Sequence, residues 1–267
     1  MSTGINPLFS FRLDSRVDRS VMDRLLADVA QAGFHAVEWP VTSKGLLTPV
    51  TSESDCRALA ERSRGAGLSI AVVHLDGSTA GFETALVPAD LSARRVAFEL
   101  VCAALDRAAW LGADTLVIAP AVVGPPNDST PRLSYDEAHT RSLEALLELR
   151  FEAARRAVRI ACHAAANRFL LSPLEMREFV DACNSPWVGA SLDTGDVMTC
   201  GGHPGDWIRI LTHRLAQVVI SEGSGDCHWP DVAAALRQID FRGPIACGVD
   251  YVDPSDSIRH LRRVWGE

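Results

Sequence analysis

The chain has 267 residues, 47% hydrophobic and 22% charged, with a formal net charge of −8. That length suits one large domain or two small ones. The excess of 34 acidic over 26 basic side chains argues against nucleic acid or an anionic membrane as partner, since both need a basic face.

No apolar run reaches bilayer-spanning length, and "MSTGINPLFSFRLD" lacks the charged-then-apolar pattern of a secretory signal. Seven scattered cysteines with no CxxC pair read as buried free thiols, so a cytoplasmic protein is expected. In chain order, 4–11 is a first strand and 18–32 a helix with an apolar stripe, stopped by Gly33. A short strand at 35–39, a helix at 53–64 and a β-branched strand at 68–75 follow. Next come a long helix at 92–110, a strand at 114–120, a Pro/Gly-rich loop and a helix at 134–156. The strand 158–162 precedes "SPLE", a capping box with proline at the first helical position, whose helix runs to Cys183. Strands at 187–193, 215–221 and 244–249 alternate with helices at 205–212, 229–239 and 255–265.

Doubly apolar strands separated by helices imply a parallel sheet covered by helices. Eight such units in about 250 residues have the size of a closed (β/α)8 TIM barrel, here α/β with one barrel domain over 1–267. In such barrels the residues that act lie where the strands end. Glu38, His74, His163, Asp193, Glu222 and Asp250 stand at those ends. Trp39, Trp229 and Phe169 could line the same rim with flat surface, and Arg168 could meet a carboxylate or phosphate.

With these residues in view, the chain resembles the xylose-isomerase-like barrels, the sugar phosphate isomerase and epimerase family. The resemblance rests on "AGFHAVEW", "LGADTLVIAP", "NRFLLSPLE", "WVGASLDTGDV", "ISEG" and "WPDVAAALRQIDFRGPIACGVDY", taken in order over nearly the whole chain. It implies a divalent metal at the barrel mouth held by Glu, Asp, His and Glu from strands five to eight. Carried over, those positions fall on His163 (or Ala164), Asp193, Val219 and Gly248. A histidine that often follows the Asp is here Asp196. One ligand of four therefore remains, too few for a hard divalent ion. No metal and no other cofactor is expected. Replacing Glu and His by Gly248 and Val219 is also expected to empty part of the mouth and make it more apolar.

The expected activity is metal-independent proton transfer by an isomerase, epimerase, dehydratase or cyclase. His163 would be the principal acid–base group, Asp193 its orienting partner and Glu222 the second acid or base. Glu38, Trp39, His74, Arg168 and Asp250 would bind a small carbonyl- or hydroxyl-bearing metabolite, such as one from specialised biosynthesis. The family resemblance implies a homodimer. Two other classes stay open. One is a metal-dependent isomerase with a site rebuilt from His163, Asp193, Glu222 and His74 or His228. The other is an inactive barrel kept as a binding or partner protein.

Overall fold

The structure is a computed structural model that describes residues 7–14, 17–75, 79, 82, 85–124, 133–164, 167–222, 227–248 and 253–266. Eight parallel strands close into a barrel in chain order, with the first pairing the eighth through Ser10↔Ala246. They are β1 (Leu8–Arg12), β2 (Ala36–Val41), β3 (Ser69–Leu75), β4 (Thr115–Ile118), β5 (Arg159–His163), β6 (Val188–Asp193), β7 (Leu215–Ile220) and β8 (Pro244–Cys247). The helices are α1 (Arg19–Ala32), α2 (Glu53–Gly65), α3 (Leu91–Leu111), α4 (Tyr135–Arg156), α5 (Pro173–Ala182), α6 (Thr194–Thr199), α7 (Pro204–Leu211), α8 (Trp229–Gln238) and α9 (Pro254–Trp265). The chain is thus a (β/α)8 barrel. Among the described residues, no helix is long and apolar enough to cross a membrane.

Local chemistry explains the punctuation. Asp18, Ser52, Asp90, Ser172 and Asp253 each accept a backbone N–H of the first helical turn that follows, satisfying donors with no partner inside the helix. Gly33 ends α1 at φ 102°, and a Cβ there would stand 2.8 Å from the Arg262 guanidinium. Val29 and Leu26 of α1, Leu105 of α3 and Leu149 of α4 are buried in the apolar layer between strands and helices. A small second cluster, Val72, Val117, Ala161 and Ala216, is separate from that layer.

Six-residue α6 is the one described helix the hydrophobic periodicity does not announce. Asp193, the last residue of β6, caps it directly: its Oδ1 accepts the amides of Gly195 at 2.8 Å and Asp196 at 3.2 Å. The chain turns from strand to helix without a loop, which lifts Asp196 to the barrel mouth. Of the cysteines, Cys56, Cys162, Cys183 and Cys247 are buried, Cys102 and Cys227 are half-buried, and Cys200 is exposed; all are free thiols.

Candidate active site

Two polar layers occupy the barrel. The deeper one centres on Glu38, whose side chain is wholly buried. Its Oε1 accepts the Ser10 hydroxyl at 2.6 Å. Its Oε2 accepts the Gln217 amide at 2.7 Å and meets His74 Nε2 at 2.8 Å. Gln217 Oε1 in turn accepts the Ser191 hydroxyl at 2.9 Å. Strand irregularities sit beside two of these residues, between Val37 and Glu38 and between Ala190 and Ser191, where a bulge re-aims side chains.

Protonation follows from this geometry. Burial and the Arg12 charge lower the His74 pKa to about 4, so the ring is neutral near neutrality. Burial alone would raise the Glu38 carboxyl, but the His74 hydrogen bond, the Arg12 charge and the Ser10 hydroxyl outweigh it and hold it below its usual range. A neutral ring beside a carboxylate carries its proton on Nε2. His74 Nδ1 is then an acceptor, and an Arg12 guanidinium nitrogen lies 3.4 Å from it.

The upper layer contains His163, Asp193 and Asp196. His163 Nε2 lies 2.8 Å from Asp196 Oδ2, and both side chains keep more than a quarter of their surface exposed. Asp193, expected to orient this imidazole, is turned instead onto the amides that start α6, and α6 supplies Asp196 as the partner of the ring. Asp193 accepts the Ser221 hydroxyl and the two α6 amides on Oδ1. Burial, and after it the charge of Asp196, raises the Asp193 pKa. Ser221 is fixed in its turn: its amide donates to Thr194 Oγ1 at 2.9 Å and its carbonyl accepts that hydroxyl at 2.8 Å.

The remaining expected residues are more dispersed. Trp39 is 2% exposed and belongs to the apolar layer, and among the described residues its indole N–H has no hydrogen-bond partner. Phe169 packs with Tyr135, His139 and Phe179 in a buried aromatic group, and Trp229 meets the His260 ring edge-on. Arg168 is half-buried in a left-handed backbone conformation, φ 57°. Glu222 is exposed just after Ser221. Asp250 lies outside the described residues. Arg12 and Gln217 were not singled out by sequence reasoning. The signal was there: a charged residue ends the first strand, and one amide interrupts the apolar run "LAQVVI".

The metal that the family resemblance implies does not fit these residues. Val219 has no donor atom. Gly248 has no side chain, and a Cβ there would lie 2.5 Å from Ser221 Cβ. Ser221 therefore fills the space next to position 248, contrary to the expectation that glycine would leave room there. Among the described residues, no group of three or more His, Cys, Asp or Glu side chains is placed to hold a metal ion.

Solved structures with this fold include D-psicose 3-epimerase crystallised in the presence of D-fructose, with TM-score 0.79 and 17% identity over 97% of this chain and 99% of that one. The D-psicose 3-epimerase of Clostridium cellulolyticum H10 with D-tagatose gives 0.76 and 20%, over 97% and 91%. The 3-keto-D-glucoside 4-epimerase of E. coli gives 0.78 and 14%, over 98% and 100%. No protein of curated function matches the chain significantly in sequence. The profile of the xylose isomerase-like TIM barrel matches residues 26–266, nearly the full set of strand–helix units, and the chain belongs to that family.

Proposed function

We propose that the chain is an isomerase- or epimerase-type enzyme that moves a proton at a carbon beside a carbonyl, without a metal ion. The observation that carries this reading is the 2.8 Å pair of His163 Nε2 and Asp196 Oδ2 at the end of β5. A carboxylate on one ring nitrogen fixes the tautomer and leaves the other nitrogen with its lone pair. His163 Nδ1 is then the base that takes the C–H proton. The C–H electron pair becomes the C=C bond of an enolate, and the carbonyl oxygen takes the negative charge. The donor to that oxygen is assigned to Asp193, whose neutral form is favoured by burial and by the charge of Asp196. Glu222 is assigned the second acid–base role, exchanging protons with water. Glu38 and His74 form the floor of the site. Solved structures of the same fold include a D-psicose 3-epimerase and a 3-keto-D-glucoside 4-epimerase, which supports the isomerase class.

The test is incorporation of solvent deuterium into ketoses and 2-oxo acids, followed by proton NMR with chelator-treated protein. Exchange should survive chelation. His163→Ala should slow it by about 10²- to 10⁴-fold, the usual contribution of a general base. Asp196→Asn should slow it by about 10- to 100-fold. Exchange unchanged in His163→Ala, or lost on chelation and restored by a divalent ion, would overturn the reading.

A further inference from the structure

We infer that Arg12 anchors a carboxylate, so that the site described above takes an organic acid rather than a neutral sugar. This rests on the proposed proton-transfer reading for its chemistry but not for its binding. Side chains two apart on a strand share a face. Ser10 reaches Glu38 inside the barrel, so Arg12, at the end of β1, also points inward, one step nearer the mouth. It is half-buried there.

Among the described residues no carboxylate forms an ion pair with Arg12, and its single hydrogen bond is the long 3.4 Å contact to His74 Nδ1. Glu38, the buried anion on which the Arg12 charge acts, already accepts from Ser10, His74 and Gln217. A guanidinium has five N–H donors in a rigid fork, and among the described residues one of them is engaged. The Glu38–His74 pair acts on Arg12 as a positioning device: the carboxylate sets the tautomer, and the tautomer turns an acceptor toward the guanidinium. The fork selects the ligand. The Arg12 guanidinium stands beside a neutral His74 and the already hydrogen-bonded Glu38 carboxylate. A single flat carboxylate matches one fork; a phosphate dianion would want more cations than are present.

The experiment measures binding by calorimetry and ligand-detected NMR on the full chain. The probes are pyruvate, hydroxypyruvate and glycerate, with dihydroxyacetone and glycerol as neutral counterparts and dihydroxyacetone phosphate as the phosphate arm. The wild type should bind at least one acid in preference to its neutral counterpart. Arg12→Gln should weaken that acid by at least about tenfold and leave neutral compounds unaffected. Arg12→Lys, which keeps the charge and loses the fork, should fall between, and serves should Arg12→Gln not fold. Acid affinity unchanged in both variants, acids that never bind, or Arg12-dependent binding of the phosphate ester alone would each overturn the inference. His163→Ala should still bind the acid. Arg12-dependent acid binding without deuterium exchange would leave the anchor standing and remove the proton-transfer reading, whereas exchange with Arg12-independent binding would do the reverse.

Discussion

Removing the Glu38 carboxylate should destabilise the barrel by far more than an ordinary surface change. Three buried donors converge on it: the Ser10 hydroxyl, His74 Nε2 and the Gln217 amide. In Glu38→Ala the serine can rotate to another acceptor, but the imidazole and the amide are left unpaired in a space closed to water. Each orphaned buried donor costs about 1–3 kcal/mol, and relief of the carboxylate's own burial returns part of that. The net loss is about 4 kcal/mol, near the usual effect of breaking one partner out of a buried polar cluster. At about 2 °C per kcal/mol for a chain of this size, Tm should fall by about 8 °C. Glu38→Gln separates hydrogen bonding from charge. Its carbonyl can take the Oε2 position, accepting from both His74 and Gln217, while its NH2 donates to a rotated Ser10. It should cost about half as much, since hydrogen bonds to a charged acceptor are roughly twice as strong as neutral ones. Urea unfolding at pH 7.5 with a constant m-value is the assay. A Glu38→Ala loss below about 1 kcal/mol, or a Glu38→Gln loss equal to it, would refute the account of this cluster as a fully satisfied, charge-centred network.

His74 predicts a pH dependence of stability. Its folded pKa is lowered to about 4, so between that value and its unfolded value of about 6.5 the unfolded chain binds the extra proton. The stabilisation is therefore complete above about pH 6.5 and is lost as pH falls toward 4, amounting to about 3 kcal/mol. Urea midpoints from pH 8 to 4.5 should show this slope, and His74→Gln should flatten it; equal slopes in both proteins would count against the assignment. Gly248 supplies a second test. Gly248→Ala places a Cβ 2.5 Å from Ser221 Cβ and should cost about 1–3 kcal/mol by overpacking. Adding Ser221→Gly should recover part of it, and a double variant no more stable than Gly248→Ala would mean that the strain arises elsewhere.

The fold was legible because a doubly wrapped parallel barrel imposes its pattern on every strand: β3 and β7 are apolar runs, and helices such as α5 carry their own start signals. Elements that lack such a pattern were not legible. The run "TGDVMT" has one apolar pair and no stripe, and the residue that starts it, Asp193, looks in sequence like a strand-end acid. Only the structure shows that this acid turns the chain, so that the partner of His163 lies three residues later in α6. Depth along the barrel axis was hidden for a related reason. Strands tilt and are staggered as the barrel closes, so two residues that both stand near strand ends can lie at different heights. Glu38 and His74 thus form a buried floor, while His163 and Asp196 keep partial exposure above it. This separation decides what each group can do. A carboxylate held by three donors and shielded from water keeps its charge and geometry, and so supports its neighbours. An imidazole with one nitrogen on an aspartate and part of its ring exposed can exchange a proton with a ligand. In this chain the polarity a metal would have organised is divided between the two layers, and Ser221, standing against Gly248, occupies the place where a longer eighth-strand side chain would reach in.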